Sequence, residues 1–387
     1  MAKMKKSPEL RFKGFLEGWE ERKLGEVLTV YPFKAYLAEP HANGKYKVIQ
    51  QGDMPIAGYA DGKAFVNYDN ITLFGDHTLS LYKATSPFFV ASDGLKILSS
   101  PELDGLLLFT LLDKYKPKSE GYKRHFNILK EVKVCYPKNI NEQSPIGSIF
   151  KNLDALITLH QRKHDKLCTA KKAMLEKMFP KEGADVPEIR FKGFTGKWER
   201  RKLDSIFSKI KNAFVGTASP YYVEEGHFYL ESNNVKNGQI NRNTEIFIND
   251  EFYQNQKDNW LHTGDLVMVQ SGHVGHSAVI PQDLDNTAAH ALIFFTDLKD
   301  KINSHFLNYQ FLTTSAISKI EKITTGNTIK HILSSDMKVF SVSIPTIKEQ
   351  DLIANIFRDI DTLISLHQRE TDKLKSIKKA CLEKMFV

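Results

Sequence analysis

The sequence predicts a mixed α/β (α+β) protein. Two similar domains of short strands and helices are separated by a pair of long helices that form an antiparallel coiled coil. Three observations predict it. The stretch 154–179 returns without a gap as 361–386, an offset of 207 (361 − 154). The segment PELRFKGF at 8–15 returns as PEIRFKGF at 187–194, an offset of 179 (187 − 8). Between these repeated edges the two halves diverge, and the second carries 28 more residues (207 − 179). The expected boundaries are a first domain at 1–143, a first helix at 144–180, a second domain at 181–349 and a second helix at 350–387.

The opening motif continues with Trp19, Glu20, Arg22, Lys23 and Leu24, matched by Trp198, Glu199, Arg201, Lys202 and Leu203. In the first divergent region, 45–53 reads as a strand entering a Gly turn, and 71–82 as two apolar runs around a Gly-Asp turn. In the second, 266–280 has the same form, strand, Ser-Gly loop, strand. Helices are expected at 101–115 and 304–322. Each region closes with a basic segment (121–129 and 324–333), then a strand ending in Tyr136-Pro137 or Ile344-Pro345, then Gln143 or Gln350 at the helix entrance. Pro145 is expected in the first helical turn, where its missing N–H costs nothing. Pro180, Gly183 and Pro187 punctuate the linker between halves.

In the first long helix Ile149, Leu153, Leu156, His160, Leu167, Ala170 and Met174 recur at steps of three and four, with a longer jump across Lys163. Ile356, Ile360, Leu363, His367, Leu374, Ile377 and Cys381 do the same in the second. This is the seam of a coiled coil. Residues 144–179 would make roughly 54 Å of helix at 1.5 Å per residue. A stripe so long and narrow is better covered by another helix than by a compact domain, although a helix packed on its own domain is the competing reading.

The chain has 387 residues, more than one core readily holds, and a net charge of +8 that favours a polyanionic partner. Its cysteines, Cys135, Cys168 and Cys381, have no metal-ligand or disulfide-framework spacing, which fits a reducing cytoplasm. The apolar run 106–112 is far short of the ~20 residues of a membrane span. There is no phosphate-cradling G-x-x-x-x-G-K-[ST] loop and no Gly-rich dinucleotide turn. The segment SPYY at 219–222 lacks the residues that amino-methyltransferases place against a base. His160 and His164 have the i, i+4 spacing of metal ligands. The second helix keeps His367 but has Thr371, so a polar seam histidine is the preferred reading and no metal is expected.

Residues 160–179 carry six positive side chains against two negative, which suits either a solvated helix face or a surface for DNA phosphates or an acidic partner. The polar loop 231–243 is rich in Asn, Gln and Arg, residue types able to contact base edges in pairs of hydrogen bonds. An ordinary Asn/Gly turn cluster is the alternative there. The Gly-punctuated segments 270–273 and 325–331 favour base reading.

Taken together, the duplicated opening motif with Arg-Lys-Leu, the GDLV…SG segment at 264–272, the Pro…Gln approach and the helix ending LEKMF resemble the specificity (S) subunit of type I restriction–modification systems. The resemblance spans essentially the whole chain. It implies a non-catalytic, DNA-binding subunit with two target-recognition domains, each reading one half of a gapped asymmetric site, and a helical coiled coil as ruler for the spacer. It implies partners as well: two methyltransferase (M) subunits and restriction (R) subunits. The chain itself would hold no cofactor, with S-adenosylmethionine, ATP and Mg expected in those partners. By this resemblance Gln50, Gln51, Gly75, Asp76, His77, Lys123, Arg124, His125 and Asn127 form the first DNA-facing surface. The second comprises Ser232, Asn233, Asn234, Lys236, Gln239, Arg242, Gln270, Ser271, His273, Asn327, Thr328, Lys330 and His331. Leu153, Leu156, His160, Leu167, Ile360, Leu363, His367 and Leu374 are the expected helix-pairing or partner positions. A self-sufficient methyltransferase or endonuclease with unrecognised motifs, and a coiled-coil protein without nucleic-acid function, are the competing classes.

Overall fold

The structure, a computed structural model, describes residues 7–121, 123–326 and 330–387. It divides into two units, Met1–Arg162 with His367–Val387 and Lys163–Leu366. The first long helix (Ile140–Met178) contributes its N-terminal part to unit 1 and its C-terminal part to unit 2. The second (Ile347–Lys384) does the reverse.

Unit 1 is built on an antiparallel four-stranded sheet in the order Thr29–Tyr31, Leu95–Ser99, Thr72–Gly75, Leu81–Lys83. A smaller sheet sets Tyr46–Ile49 between antiparallel Ile56–Ala60 and parallel Phe88–Val90. Glu20–Lys23 pairs with Lys133–Tyr136 and so brings the opening motif to the helix entrance. Unit 2 repeats the plan. Its main sheet runs Phe207–Asn212, Leu292–Leu298, Leu266–Val269, Ser277–Val279. His227–Leu230 lies parallel to Ala288–Ala289, and Glu199–Lys202 pairs with Ser341–Ile344. The apolar runs read from the sequence at 71–82 and 266–280 are hairpins whose first strand lies inside the sheet and whose second forms its edge. Unit 2 adds the hairpin Val235–Lys236/Gln239–Ile240 and the helices Asp250–Asn255 and Thr314–Ile323.

Helix ends follow capping chemistry. The helix expected at 101–115 is Gly105–Tyr115, started by the Asp104 carboxylate, which accepts from the Leu106 and Leu107 amides at 2.9 and 3.2 Å. The single helix expected at 304–322 is two, Ser304–Phe311 and Thr314–Ile323. It breaks because the Thr313 hydroxyl caps the second, accepting from Ala316 N at 3.2 Å. The first long helix begins at Ile140, so Pro145 lies beyond the first turn rather than in it. Asn139 starts the helix early by accepting from Asn141 N (2.9 Å), and the carbonyl that Pro145 leaves without an amide belongs to exposed Asn141.

The early start places a Glu-Gln pair inside the protein. Gln143 donates to the Pro137 and Glu102 carbonyls (2.7 and 3.0 Å) and accepts from Asp104 N (2.7 Å). Gln350 repeats this in unit 2, donating to Pro345 O (2.9 Å) and accepting from Asn303 N (3.0 Å). One buried amide thus ties strand end, long helix and the cap of a domain helix. Glu142 accepts from Arg11 (2.6 and 2.9 Å) and from Trp19 Nε1 (3.2 Å). Glu349 accepts from Arg190 at 2.6 and 2.7 Å. Gly147 allows the long helix to touch the backbone of Leu107, since a Cβ there would lie 2.6 Å from its amide nitrogen.

The Met-Phe pair that closes each LEKMF motif is buried in a core. Phe386 packs in unit 1 on Trp19 and Phe150, with centroids 6.0 and 5.7 Å away. In unit 2 Phe179 packs on Trp198, Phe306 and Phe357 at 6.0, 5.3 and 6.1 Å. Each such aromatic pair adds about 0.5–1.5 kcal/mol beyond its burial.

Candidate nucleic-acid interface

Within unit 1 the two long helices pair antiparallel: Asp154 meets Lys378 (2.8 Å) and, six residues further along the first helix, His160 meets His367. The histidine Nδ1 atoms are 3.1 Å apart, a polar contact inside the seam. Lys378 also reaches Asp113 at 3.0 Å. Burial consumes much of the benefit, but these carboxylates hold the Lys378 ammonium above its ordinary value. Unit 2 makes the same contact with the helices exchanged: Lys171 meets Asp361 (2.5 Å), whose other oxygen accepts from Tyr309 OH (2.8 Å). Burial beside Asp361 pushes the Tyr309 hydroxyl strongly up.

The seam differs from the one read in the sequence. Covered positions alternate by four and three: Leu153, Ile157, His160 in unit 1 and His164, Leu167, Lys171, Met174, Met178 in unit 2. On the second helix they are Phe357, Ile360, Ile364 in unit 2 and His367, Thr371, Leu374, Lys378 in unit 1. Leu156 and Leu363 are therefore corrected: each is 43% exposed, beside similarly exposed Leu159 and Leu366. Ala170 and Ile377 also face outward. The heptad continues unbroken through polar His164 and Lys171, which a hydrophobic count passes over.

In unit 1 the structure brings together the three segments expected to face DNA. Gln51 accepts from His77 N (3.2 Å), and His77 Nδ1 donates to Lys123 O (3.1 Å). Gln50 is half-buried and donates to Met54 O at 2.8 Å. Lys123, Arg124 and Asn127 are exposed, the first two in open ion pairs with Glu120 (2.9 Å) and Asp93 (3.4 Å). Gly75, Asp76 and His125 are buried and cannot meet a ligand from solvent. Asp76 accepts from Phe126 N (2.8 Å), while His125 donates to Asp76 O (3.1 Å) and accepts from Glu120 N (3.2 Å). Those two side chains weld the hairpin to the basic segment, a role their polarity disguised in the sequence.

In unit 2 the bridge between Ser271 and His331 and the bond from Gly272 N to Lys330 O (3.1 Å) join 270–273 to 330–332. Asn327 and Thr328 lie outside the described residues. His273, Lys330 and His331 are exposed, Ser271 is half-buried, and Gln270 is buried. Gln239, His273 and Lys330 border one cavity of about 610 Å³ with Lys172, floored by Val274, Leu312, Ile317 and Ile320. Asn233, Lys236, Gln239 and Arg242 stand out from the 231–243 loop, with Ser232 half-covered. Arg242 pairs with Glu245 (2.6 Å) and lies over the Phe228 ring. Asn234 is buried and builds the loop instead: it accepts from Glu231 N (2.9 Å) and donates to Asn241 O and Thr244 O (3.0 and 2.9 Å).

Sequence reasoning missed the polar cluster below this loop. Tyr222 OH donates to Glu231 at 2.7 Å, and His290 Nδ1 lies 3.6 Å from the same carboxylate. Only the Glu231 position, at the start of a polar loop, carried any signal. Tyr222 and His290 come from distant strands.

Two units of one topology, each with exposed polar loops near the turn of its hairpin, define a duplicated fold. A solved S subunit of a type I restriction–modification system from M. genitalium has that fold: the likeness covers 99% of both chains with a TM-score of 0.63 and 14% identity. The family described as type I restriction modification DNA specificity domain matches residues 16–168 and 195–376, and the chain belongs to that family. It is 23% identical over 260 residues to the type I restriction enzyme MjaVIII specificity subunit of Methanocaldococcus jannaschii, and 25% identical over 256 residues to a putative MjaX specificity subunit of the same organism. These alignments cover 65% of this chain and 60% and 57% of those relatives. No described helix is long and apolar enough to cross a membrane.

Proposed function

We propose that this chain is the non-catalytic specificity subunit of a type I restriction–modification enzyme in the cytoplasm. Each unit reads one half of an asymmetric, bipartite DNA site, and the paired helices set the unread spacer. The observation that carries this reading is one sheet topology used twice with different exposed loops. Identical readers would favour a palindrome, whereas unlike loops on a common frame favour two different half-sites. Lys123, Arg124 and Asn127 present the first surface, and Asn233, Lys236, Gln239, Arg242, His273, Lys330 and His331 the second. Asn and Gln suit adenine, Arg and Lys suit guanine or phosphate.

The outward leucines, Leu156 and Leu159 in unit 1 and Leu363 and Leu366 in unit 2, are the docking positions for two methyltransferase subunits. Those subunits would carry S-adenosylmethionine, and restriction subunits ATP and Mg. Methylome sequencing of cells expressing the chain with its methyltransferase tests the reading. A gapped two-part motif that vanishes when the chain is omitted supports it, and an unchanged methylome refutes it.

A further inference from the structure

The 231–243 loop rests on a histidine placed between two acceptors. His290 follows the strand Ala288–Ala289, and its amide donates to Leu230 O at 2.9 Å. Its Nε2 is 3.0 Å from the Gly216 carbonyl and its Nδ1 3.6 Å from a Glu231 carboxylate oxygen. The rings of Phe214 and Tyr229 lie on it at 6.0 and 5.8 Å. Neither a carbonyl nor a carboxylate can donate, and a neutral imidazole carries one N–H. The Nε2–H serves the Gly216 carbonyl, and at 3.6 Å the Glu231 oxygen is an ion-pair neighbour beyond hydrogen-bond distance, a contact made by the imidazolium and not by the neutral ring.

We propose that His290 is the positioning residue of the second reading loop: protonated, it clamps the Gly216 turn to Glu231 and holds 231–243 in its DNA-facing form. This rests on the reading of that loop as a DNA contact. Glu231 is the loop's anchor, because its amide is bound by Asn234, which in turn holds Asn241 and Thr244. The titratable groups facing His290 are Glu231, Tyr229, whose ring lies on it and whose hydroxyl burial pushes up, and, behind Glu231, Tyr222. The Glu231 carboxylate holds the imidazolium above its ordinary value although burial pulls the other way. Glu231 is in turn held below the usual carboxylate range by His290, with help from Tyr222. Burial first, then Glu231, pushes the Tyr222 hydroxyl up to about 12, so it stays a donor.

The histidine's contribution is complete below the ordinary imidazole value of about 6.5 and is lost as pH rises through its raised value. The carboxylate's is lost only as pH falls through its lowered value. Unit 1 supplies an internal control. Its matching strands place Gln50 where unit 2 has Glu231 and Ala91 where it has His290, with Ala91 N donating to Ile49 O at 2.8 Å. Neither side chain titrates.

The test uses the full chain assembled with its methyltransferase. Hydrogen exchange, corrected for the intrinsic effect of pH, is followed in peptides 231–243 and 46–60 from pH 6 to 9. Loss of this ion pair predicts exchange in 231–243 faster by roughly fivefold at the alkaline end, with 46–60 unchanged. His290→Gln should exchange fast throughout, and His290→Lys, which keeps the cation, should restore protection across the range. A wild-type profile flat with pH, or His290→Gln matching wild type, overturns the proposal. Binding to duplexes carrying the methylated motif, with either half altered, is measured in parallel. Discrimination at the second half-site should weaken along the same profile. If exchange moves and DNA discrimination does not, the clamp exists but the loop's role as a DNA reader falls.

Discussion

Replacing Arg190 by Ala should cost unit 2 more than Arg11→Ala costs unit 1, although the residues are repeats of one another. Glu349 is fully buried and takes two bonds, at 2.6 and 2.7 Å, from Arg190. Removing one partner of such a pair leaves a buried charge and costs about 3–5 kcal/mol. Glu142 in unit 1 keeps a third donor, Trp19 Nε1 at 3.2 Å. The matching Trp198 Nε1 in unit 2 is buried with no hydrogen-bond partner among the described residues. A bond to a charged group contributes about 1.5–3 kcal/mol, and at 3.2 Å the lower end applies, so Arg11→Ala should be milder by about 1–2 kcal/mol. For units of this size the Arg190→Ala loss corresponds to a melting temperature lower by roughly 6–20 °C. Differential scanning calorimetry of the full chain, with hydrogen exchange assigning the loss to each unit, measures both variants. Arg190→Ala with Glu349→Leu should recover most of the stability. Equal losses in the two units, or an Arg190→Ala loss below about 1 kcal/mol, would refute the reasoning.

The other predictions concern the seam and the loops. His160→Leu with His367→Leu should leave stability equal or higher in denaturant titrations, while cysteine cross-linking across the helices becomes less register-selective. Asp361→Ala strips Lys171 and Tyr309 of their shared acceptor and should cost about 3–5 kcal/mol, read as a lower unfolding midpoint. Asn234→Ala should destabilise the 231–243 loop by about 2 kcal/mol through its lost internal bonds, whereas Asn233→Ala should leave stability unchanged and alter the methylated motif. Lys123→Ala with Arg124→Ala should flatten the salt dependence of DNA binding by the assembled complex by about two phosphate contacts, with the second half-site unaltered.

Repetition and period made much of the molecule legible. Two copies of an opening motif and of a helix, set at different offsets, announce two halves on one frame and a longer second middle. The hairpins at 71–82 and 266–280 were readable because alternation of apolar residues around a Gly-containing turn is local information. The seam was readable to within one residue: Leu156 and Ile157 are equally apolar, and successive helix positions differ by about 100° in direction.

Which of the two is covered depends on the partner helix, and so does the acceptance of Lys171, whose carboxylate lies 190 residues away. For the same reason the polar residues of the loops divided only in three dimensions. Asp76, His125 and Asn234 satisfy backbone groups inside the fold, while Asn233, Lys236 and His273 are exposed. Repetition and helical period by themselves announced two polar-looped domains and two long helices with an apolar seam. Tertiary structure alone decided which polar atoms are already spent, because a hydrogen bond between distant strands leaves no trace in either strand's own sequence.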